Sequence, residues 1–203
     1  SGAGYTGGAV GSGSASIAGT LANTTNAQVN AVYSVTPSAG ACVGLPFNIT
    51  VPINPKPFVN PQAVTVCNGS PFIITPTNVG GNIVPVGTSY SWLDPTGTNI
   101  TGYAAGTNQT NIFGTISNTN TAAAETATYT VTPTAGSCTG NSFSVVATIN
   151  ATINPGAIVG DQTVCNGAVP APINDGPAVG SPGTISYIWE SNTTGCSGPW
   201  IVI

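Results

Sequence analysis

The sequence predicts an all-β protein in which antiparallel β-sandwiches follow one another, and three observations lead to that prediction. The 203 residues include 27 glycines and 17 prolines, so turn-forming residues recur every few positions. Valine, isoleucine, threonine and tyrosine, which favour strands, are plentiful, whereas methionine is absent. Four sequence blocks recur in the same order about 97 residues later, which indicates a tandem repeat.

Four pairs of matching blocks define the repeat. Residues 19–23 match 114–118, 33–42 match 129–138, 65–69 match 163–167, and 90–92 match 187–189. A period of about 97 residues is the size of one immunoglobulin-like sandwich. The sequence therefore predicts tandem immunoglobulin-like sandwiches.

Proline-rich connections fix the phase of this repeat. Residues 53–57 and 153–155 each follow a long alternating segment and precede a short apolar one. Proline at such a point stiffens the connection and stops strand pairing across it. We predict three units joined by two linkers. Residues 1–54 are the C-terminal half of a first repeat, residues 58–154 are one complete repeat, and residues 158–203 are the N-terminal half of a third repeat. Residues 55–57 and 155–157 are the linkers.

Seven short strands are predicted in the complete repeat, each bounded by turn residues. An Asn-Gly pair ends the first strand, a Pro-Thr-Gly turn closes the third, and an Ala-Gly turn joins the last two. The last strand alternates between apolar and polar residues, so one face should be buried. The predicted strands are residues 62–67, 71–76, 89–93, 99–103, 109–117, 126–132 and 142–153.

The charged residues exclude several classes of function. Only 3% of residues are charged, and Lys56 is the only cation, so the chain cannot neutralise a run of phosphates in a nucleic acid. Without histidine, neither a catalytic relay nor a histidine metal site can form. We interpret the scattered carboxylates as solvated loop charges and expect no enzyme activity and no catalytic, cofactor or metal site. These carboxylates are Asp94, Glu125, Asp161, Asp175 and Glu190.

Neither a membrane span nor a leader is predicted. No apolar run reaches the ~18 residues that a spanning helix needs. No basic segment followed by an apolar one opens the chain. The chain starts at Ser1 and stops on an apolar run, so we expect both ends to be cuts through a longer protein.

Matching aromatic residues recur in the repeats. Trp92 and Trp189 lie in matching Tyr-x-Trp strands, and we interpret them as core residues in preference to a platform on which a sugar ring stacks. Tyr33 and Tyr129 each precede a Val-Thr-Pro segment. We expect their hydroxyl groups to cap a backbone group, as in the tyrosine corner of a sandwich.

The five cysteines suit disulfides better than a metal or a catalytic thiol. No clustered cysteine knuckles are present, and no base is available to activate a thiol. We predict a Cys67–Cys138 bond inside the complete repeat, with the partners of Cys42, Cys165 and Cys196 outside the fragment. Pairing across each linker, Cys42 with Cys67 and Cys138 with Cys165, remains the alternative. Either pairing implies an oxidising, extracytoplasmic setting.

Several of these segments resemble PKD-like and immunoglobulin-like tandem repeats of giant cell-surface proteins in Bacteroidota, of the kind found in gliding-motility adhesins exported by type IX secretion. The resembling segments are residues 90–92, 129–140, 153–155 and 163–167. Residues 187–200 resemble a second repeat subtype of the same proteins. The resemblance implies an extracellular stalk or filament without catalytic residues.

The leading functional hypothesis is a structural stalk of a long secreted adhesin, which gives reach and tensile strength for attachment or gliding. Its partners would be neighbouring repeats, other surface or motility proteins, or extracellular polysaccharide. The alternative is a glycan-binding sandwich, which requires exposed aromatic rings on one flat face. Tyr103, Trp92 and Trp200 are the candidate rings.

Overall fold

The computed structural model describes residues 3–154, 156, 158–159, 161–172, 174–175, 180, 185–188, 190–192, 199 and 201–202. Within these residues the regular elements are strands and bridges, and no helix is present. The prediction of an all-β fold is confirmed. Three residues with predicted roles, Trp189, Cys196 and Trp200, lie outside the described residues.

Residues 3–54, called here the first segment, form three antiparallel pairs. These pairs are β1 with β2, β3 with β6, and β4 with β5. The strand bounds are β1 Tyr5–Gly7, β2 Leu21–Asn23, β3 Val29–Val35, β4 Ser38–Ala39, β5 Cys42–Val43 and β6 Phe47–Ile53.

Residues 58–154, called here the central repeat, hold the next ten strands, and four short strands follow. The central strands are β7 Gln62–Val66, β8 Pro71–Ile74, β9 Ser89–Trp92, β10 Ile100–Thr101, β11 Gly106–Gln109, β12 Ile112–Thr115, β13 Ser117–Asn118, β14 Glu125–Ala135, β15 Cys138–Thr139 and β16 Phe143–Ile149. The last four are β17 Ile158–Val159, β18 Asn174–Asp175, β19 Glu190–Ser191 and β20 Ile201–Val202.

Two predicted strands differ from the structure. The segment predicted as one strand over residues 109–117 contains the end of β11, all of β12 and the start of β13. The reason is that β11 pairs with β9 whereas β12 pairs with β8, so the chain crosses between the layers here. The last strand ends at Ile149 and does not continue to residue 153.

The central repeat is a sandwich of two layers. One layer is a sheet in the order β11-β9-β14-β16-β7, with β15 paired to the end of β14. The other layer contains the pairs β8–β12 and β10–β13. Phe72 of β8 packs edge-on against Tyr129 of β14, with ring centroids 6.0 Å apart, so the two layers face each other across the core.

The core of the central repeat is formed by its own residues. Alternate residues of β14 and β16 point inward, which is the pattern of a sheet with one buried face. Because all the clustered core residues fall between Val59 and Ile149, this repeat closes its own hydrophobic core. They are Val59, Phe72, Tyr90, Trp92, Ile100, Ile112, Ile116, Ala127, Tyr129, Val131, Phe143, Val145, Ala147 and Ile149.

The first strand of the central repeat runs parallel to the last one. Gln62 lies opposite Val145, and Val66 lies opposite Ile149. All the other paired strands in the structure are antiparallel. Since β7 starts where β16 starts, the chain enters the repeat at one end of the sandwich and leaves it at the other.

The first segment repeats the last hairpin of the central repeat with the same register. Tyr33 faces Ile49 in the first hairpin, as Tyr129 faces Val145 in the second. In the first segment, however, the β3–β6 pair has no further strand beside it among the described residues. Its apolar side chains are therefore more exposed, as β6 shows: its first residue, Phe47, is 50% exposed.

Candidate inter-repeat junction

A buried asparagine organises the exit end of the central repeat, where β16 ends. Asn118 is 5% exposed, and its side-chain amide donates to the carbonyl oxygens of Ala123 at 2.8 Å and Ile149 at 2.9 Å. Its side-chain oxygen accepts from the backbone N–H of Asn120 at 2.7 Å. All polar atoms of this side chain thus have partners, as burial requires.

The turn after β7 is attached to the same asparagine. The Asn68 side chain donates to the carbonyl of Asn118 and accepts from its N–H. The Asn68 amide also donates to the hydroxyl of Thr152, at 2.7 Å, in the segment that leaves the repeat. Gly69 completes the turn with a φ of 70°, a conformation that suits glycine. The first turn, the opposite layer and the exit segment are therefore joined at one point.

The first segment contains the same asparagine motif at the matching position. The Asn23 amide donates to the carbonyls of Ala27 at 2.7 Å and Ile53 at 2.8 Å. Its side-chain oxygen accepts from the N–H of Thr25 at 2.8 Å. Asn23 and Asn118 close the two matching blocks 19–23 and 114–118. These blocks are recognisable as repeats in the sequence, but the sequence does not indicate a role for their last residue.

Glu125 lies beside this network and is fully engaged by donors. Its carboxylate accepts from the amides of Asn120 at 2.8 Å and Asn99 at 2.9 Å, and from the Thr98 hydroxyl at 3.3 Å. The hydrogen bond from Asn120, followed by that from Asn99, lowers the pKa of the carboxyl group. Because amide N–H groups face this carboxylate, the surrounding side chains do not offer it the oxygen ligands of a calcium site. No group of three metal-ligating side chains occurs within the part of the chain that the structure describes.

The entry end of the central repeat holds the linker tightly. Pro55 and Pro57 are buried, and Lys56 donates from Nζ to Oδ1 of Asn141 at 3.0 Å. A Cβ at Gly140 would lie 2.2 Å from the carbonyl oxygen of Pro57, so only glycine allows this close approach. The linker is therefore packed against the hairpin at the entry end.

A cavity of about 340 Å³ lies between the first segment and the central repeat. One wall belongs to the exit end of the first segment, and the other belongs to the β14–β15 turn and a loop of the central repeat. The walls are formed by Asn26, Ala27, Gln28, Asn54 and Pro55 on one side and by Pro85, Val86, Ala135 and Gly136 on the other. The exit end of one unit thus meets the entry end of the next.

The strand register rules against the predicted Cys67–Cys138 bond. Cys67 follows Val66, which pairs with Ile149 at the exit end, whereas Cys138 pairs with Ala135 at the entry end. Between these ends β14 spans 11 residues, or about 36 Å at the usual rise of ~3.3 Å per residue. A disulfide needs Cα atoms within ~7 Å. The first strand is neither short nor shifted enough to bring the two together.

The alternative pairing across the linkers also conflicts with the structure. Cys42 lies in β5 at the tip of the first hairpin, away from the linker, and Cys67 lies at the far end of the central repeat. Cys138 lies at the entry end, whereas the chain leaves toward Cys165 from the exit end. These four cysteines have free thiols in the structure.

Trp92 is a core residue with one polar contact. It is 5% exposed, and its Nε1 donates to the carbonyl of Ala104 at 3.0 Å. Its ring packs edge-on against Phe113 and Tyr129, with centroids 5.8 and 6.5 Å away. Gly106 lies so close to the ring that a Cβ there would be 2.3 Å from Cζ2. The ring therefore has no free face on which a sugar could stack.

The expected cap by the Tyr129 hydroxyl is wrong. This hydroxyl is buried without a hydrogen-bond partner in the protein. Burial, with a smaller contribution from the charge of Asp94, raises its pKa to about 12. Tyr33, the matching residue of the first segment, is half-buried. The sequence pattern located both tyrosines in strands but did not reveal how their hydroxyl groups are used.

One shallow depression lies outside the junction. It measures about 420 Å³ and lies on the outer face of β9 and β14. Threonines, Asp94 and Trp92 are among its lining residues, although Trp92 is only 5% exposed. Among the candidate rings that the structure describes, Tyr103 is 39% exposed and does not line this depression.

Comparison with known proteins gives one match. A family model described as a PKD-like domain matches residues 3–57 and again residues 64–153. No curated protein and no solved structure matches the chain. No helix within the described ranges has the length and apolar character needed to cross a membrane.

Proposed function

The chain belongs to the PKD-like domain family, and on that premise we propose that it is a stalk or filament segment of a long secreted cell-surface adhesin. The resemblance to repeats of Bacteroidota surface proteins supports an adhesin exported by type IX secretion and used in attachment or gliding. In this proposal residues 55–57 and 155–157 link three consecutive repeats, and residues 158–203 begin the third.

The observation that carries the proposal is the position of the two chain ends of the central repeat. Lys56, just before the repeat, contacts Asn141 at the entry end, whereas Val66 pairs with Ile149 at the exit end. Because the chain enters this repeat at one end and leaves it at the other, each repeat extends an array by its full length. At ~3.3 Å per residue, the 11 residues of β14 correspond to about 36 Å.

The packed linker supports a semi-rigid array. Both linker prolines are buried, and Lys56 is held by the hairpin of the central repeat. Proline restricts φ to one narrow range, so this connection has little freedom to bend. Neighbouring repeats of the same chain are therefore the first partners of each unit.

A glycan-binding module is the second candidate, favoured by the threonine-lined depression beside Asp94. Carbohydrate sites commonly combine polar groups with an exposed aromatic ring, whereas Trp92 is enclosed in the core. In this proposal surface polysaccharide is a partner of the whole array, and the depression is the surface that would contact it.

Small-angle scattering tests the stalk function. The 203-residue chain is compared with longer chains that carry two and four additional copies of residues 58–154, each joined through residues 55–57. We expect the maximum dimension to grow by roughly 35–40 Å per added repeat. Particles that remain compact as repeats are added would overturn the proposal. Tight binding of a glycan by the central repeat alone would favour the second candidate.

A further inference from the structure

We propose that the cysteines at the two ends of each repeat form disulfides between consecutive repeats. The cysteine after the first strand of one repeat would pair with the hairpin cysteine of the repeat that follows it. This inference rests on the in-line arrangement proposed above. It replaces the pairing inside one repeat, which the register excludes.

The first of these cysteines lies at the exit end. Cys67 is exposed and follows directly on β7. Its neighbour Asn68 is bonded to Thr152 in the exit segment, and Val66 accepts a hydrogen bond from Asn150 at 2.9 Å. The Cys67 thiol therefore lies where the chain leaves for the next repeat.

The second cysteine lies at the entry end. Cys138 pairs with Ala135 across the β14–β15 turn, and it is partly exposed. Ala135 and Gly136 form part of the cavity wall that faces the preceding unit. Cys138 is thus the cross-strand partner of a residue that lines the junction cavity.

The matching hairpins relate these two positions to the same junction. Asn54 of the first segment corresponds to Asn150, because Ile53 and Ile149 hold the same place in the two registers. In the central repeat, Asn150 bonds to the residue before Cys67. Asn54 lines the junction cavity opposite Ala135. A first-turn cysteine in the preceding repeat would therefore lie beside the cavity that is lined by Ala135, the cross-strand partner of Cys138.

The recurrence of the cysteines fits one bond at each junction. Cys42 and Cys138 occupy matching hairpin positions, and Cys67 and Cys165 occupy matching first-turn positions. Each complete repeat thus carries one cysteine for the junction before it and one for the junction after it. The 203 residues do not contain both partners of any such bond, because neither Cys67 nor Cys165 is followed in them by the hairpin cysteine of the next repeat.

The reaction needs an external disulfide donor. Two cysteine thiols lose two protons and two electrons as the S–S bond forms, and the donor disulfide is reduced to two thiols. An extracytoplasmic dithiol–disulfide oxidoreductase is the class of protein that would supply this oxidant on the way to the surface. Oxidised glutathione supplies it in the test.

The test uses two copies of residues 58–154 joined through residues 55–57, because the central repeat closes its own core. The protein is incubated with oxidised glutathione, its free thiols are titrated in denaturant, and non-reduced peptides are mapped. We expect the thiols to fall from four to two per molecule. The single linked peptide should join Cys67 of the first copy to Cys138 of the second.

Matched variants separate this bond from others. Cys67→Ser in the first copy, or Cys138→Ser in the second, should leave no disulfide. Cys138→Ser in the first copy and Cys67→Ser in the second should leave the bond intact. A Cys67–Cys138 peptide from a single copy of residues 58–154, or four free thiols after oxidation, would overturn the inference. If scattering shows an extended two-copy protein that keeps four thiols, the stalk proposal stands and the disulfide inference alone fails.

Discussion

Asn68 and Asn118 share two hydrogen bonds, in which the Asn68 amide donates to the Asn118 carbonyl at 2.9 Å and accepts from its N–H at 2.8 Å. Through this pair the turn after β7, which belongs to one layer, is fixed to β13 of the other. The Asn118 side chain then holds the end of β16. One buried amide thus closes the sandwich at the exit end.

Asn118→Ala should lower the free energy of unfolding by about 3 kcal/mol. The change removes the amide that serves the carbonyls of Ala123 and Ile149, and leaves the buried carbonyl of Ile149 without this donor. Urea denaturation followed by tryptophan fluorescence measures the effect. Asn141→Ala removes one exposed hydrogen bond to Lys56 and should change stability by less than ~0.5 kcal/mol. Equal effects of the two changes would contradict the role of Asn118.

Gly106→Ala should destabilise the central repeat by about 2–3 kcal/mol. The new methyl group would meet the Trp92 ring at 2.3 Å, so the ring must shift within a packed core. Gly11→Ala is the matched control, because no atom lies within 4 Å of the position its Cβ would take. Differential scanning calorimetry compares the two variants. A normal melting temperature for Gly106→Ala would show that the ring is loosely packed.

Tyr129→Phe should stabilise the protein at neutral pH by about 1 kcal/mol. The substitution removes a buried hydroxyl group that has no partner in the protein and keeps the ring that packs against Phe72. Urea denaturation at pH 7 measures the change. Tyr103→Phe, at an exposed position, should be nearly neutral. A destabilised Tyr129→Phe protein would indicate that a buried water bonds to the hydroxyl group.

The stability of the chain should fall as the pH rises from 10 to 12. The pKa of Tyr129 is about 12 in the folded protein against 10.0 for an unburied tyrosine, because burial disfavours the phenolate. Above pH 10 the unfolded chain releases a proton that the folded chain still holds, so the free energy of unfolding decreases. The contribution of this group is at most about 1.4 kcal/mol per pH unit. Tyr129→Phe should reduce the slope.

Acid should destabilise the exit end through Glu125. Its pKa is lowered by hydrogen bonds from Asn120, Asn99 and Thr98, so the ionised form is favoured in the folded state. This stabilisation is present above the pKa of the unfolded carboxyl group and is lost as the pH falls through the lower folded value. Glu125→Gln should therefore unfold with a weaker dependence on pH below 5. Asp94→Asn, which removes a carboxylate outside this hydrogen-bond network, serves as the comparison.

The sequence predicted the parts of the fold that depend on local patterns. Alternation in β16 and the Asn-Gly and Ala-Gly turns located the last hairpin and the first strand within a few residues. The crossing between β11 and β12 was missed, because both pieces are short and continue the same strand-like composition. The direction of β7 could not be predicted either, since parallel and antiparallel neighbours share the same alternation.

The junction was the least predictable part. The sequence is rich in asparagine, so no neighbouring residue marks Asn118 as a buried one. The match with Asn23 is the one sequence feature that singles it out. The predicted bond joined Cys67 to Cys138 because these are the two cysteines of the complete repeat. Their positions at opposite ends follow from the register of β7 on β16, which only the folded chain shows. The assignment of residues 55–57 and 155–157 as linkers stays a prediction from the sequence.

The parallel pairing of β7 with β16 has a consequence for the order of folding. Val66 pairs with Ile149, so the first strand must wait for the synthesis or export of more than 80 further residues before its partner exists. β6, whose matching position could serve as a false partner, is separated from β7 by the eight residues 54–61. A parallel return needs a crossover of a dozen or more residues, so β7 cannot fold back beside the strand that precedes it. The short connection of residues 54–61 thereby keeps β7 from pairing with β6, and the pairing of β7 with β16 makes the central repeat a slow-folding unit dominated by distant contacts.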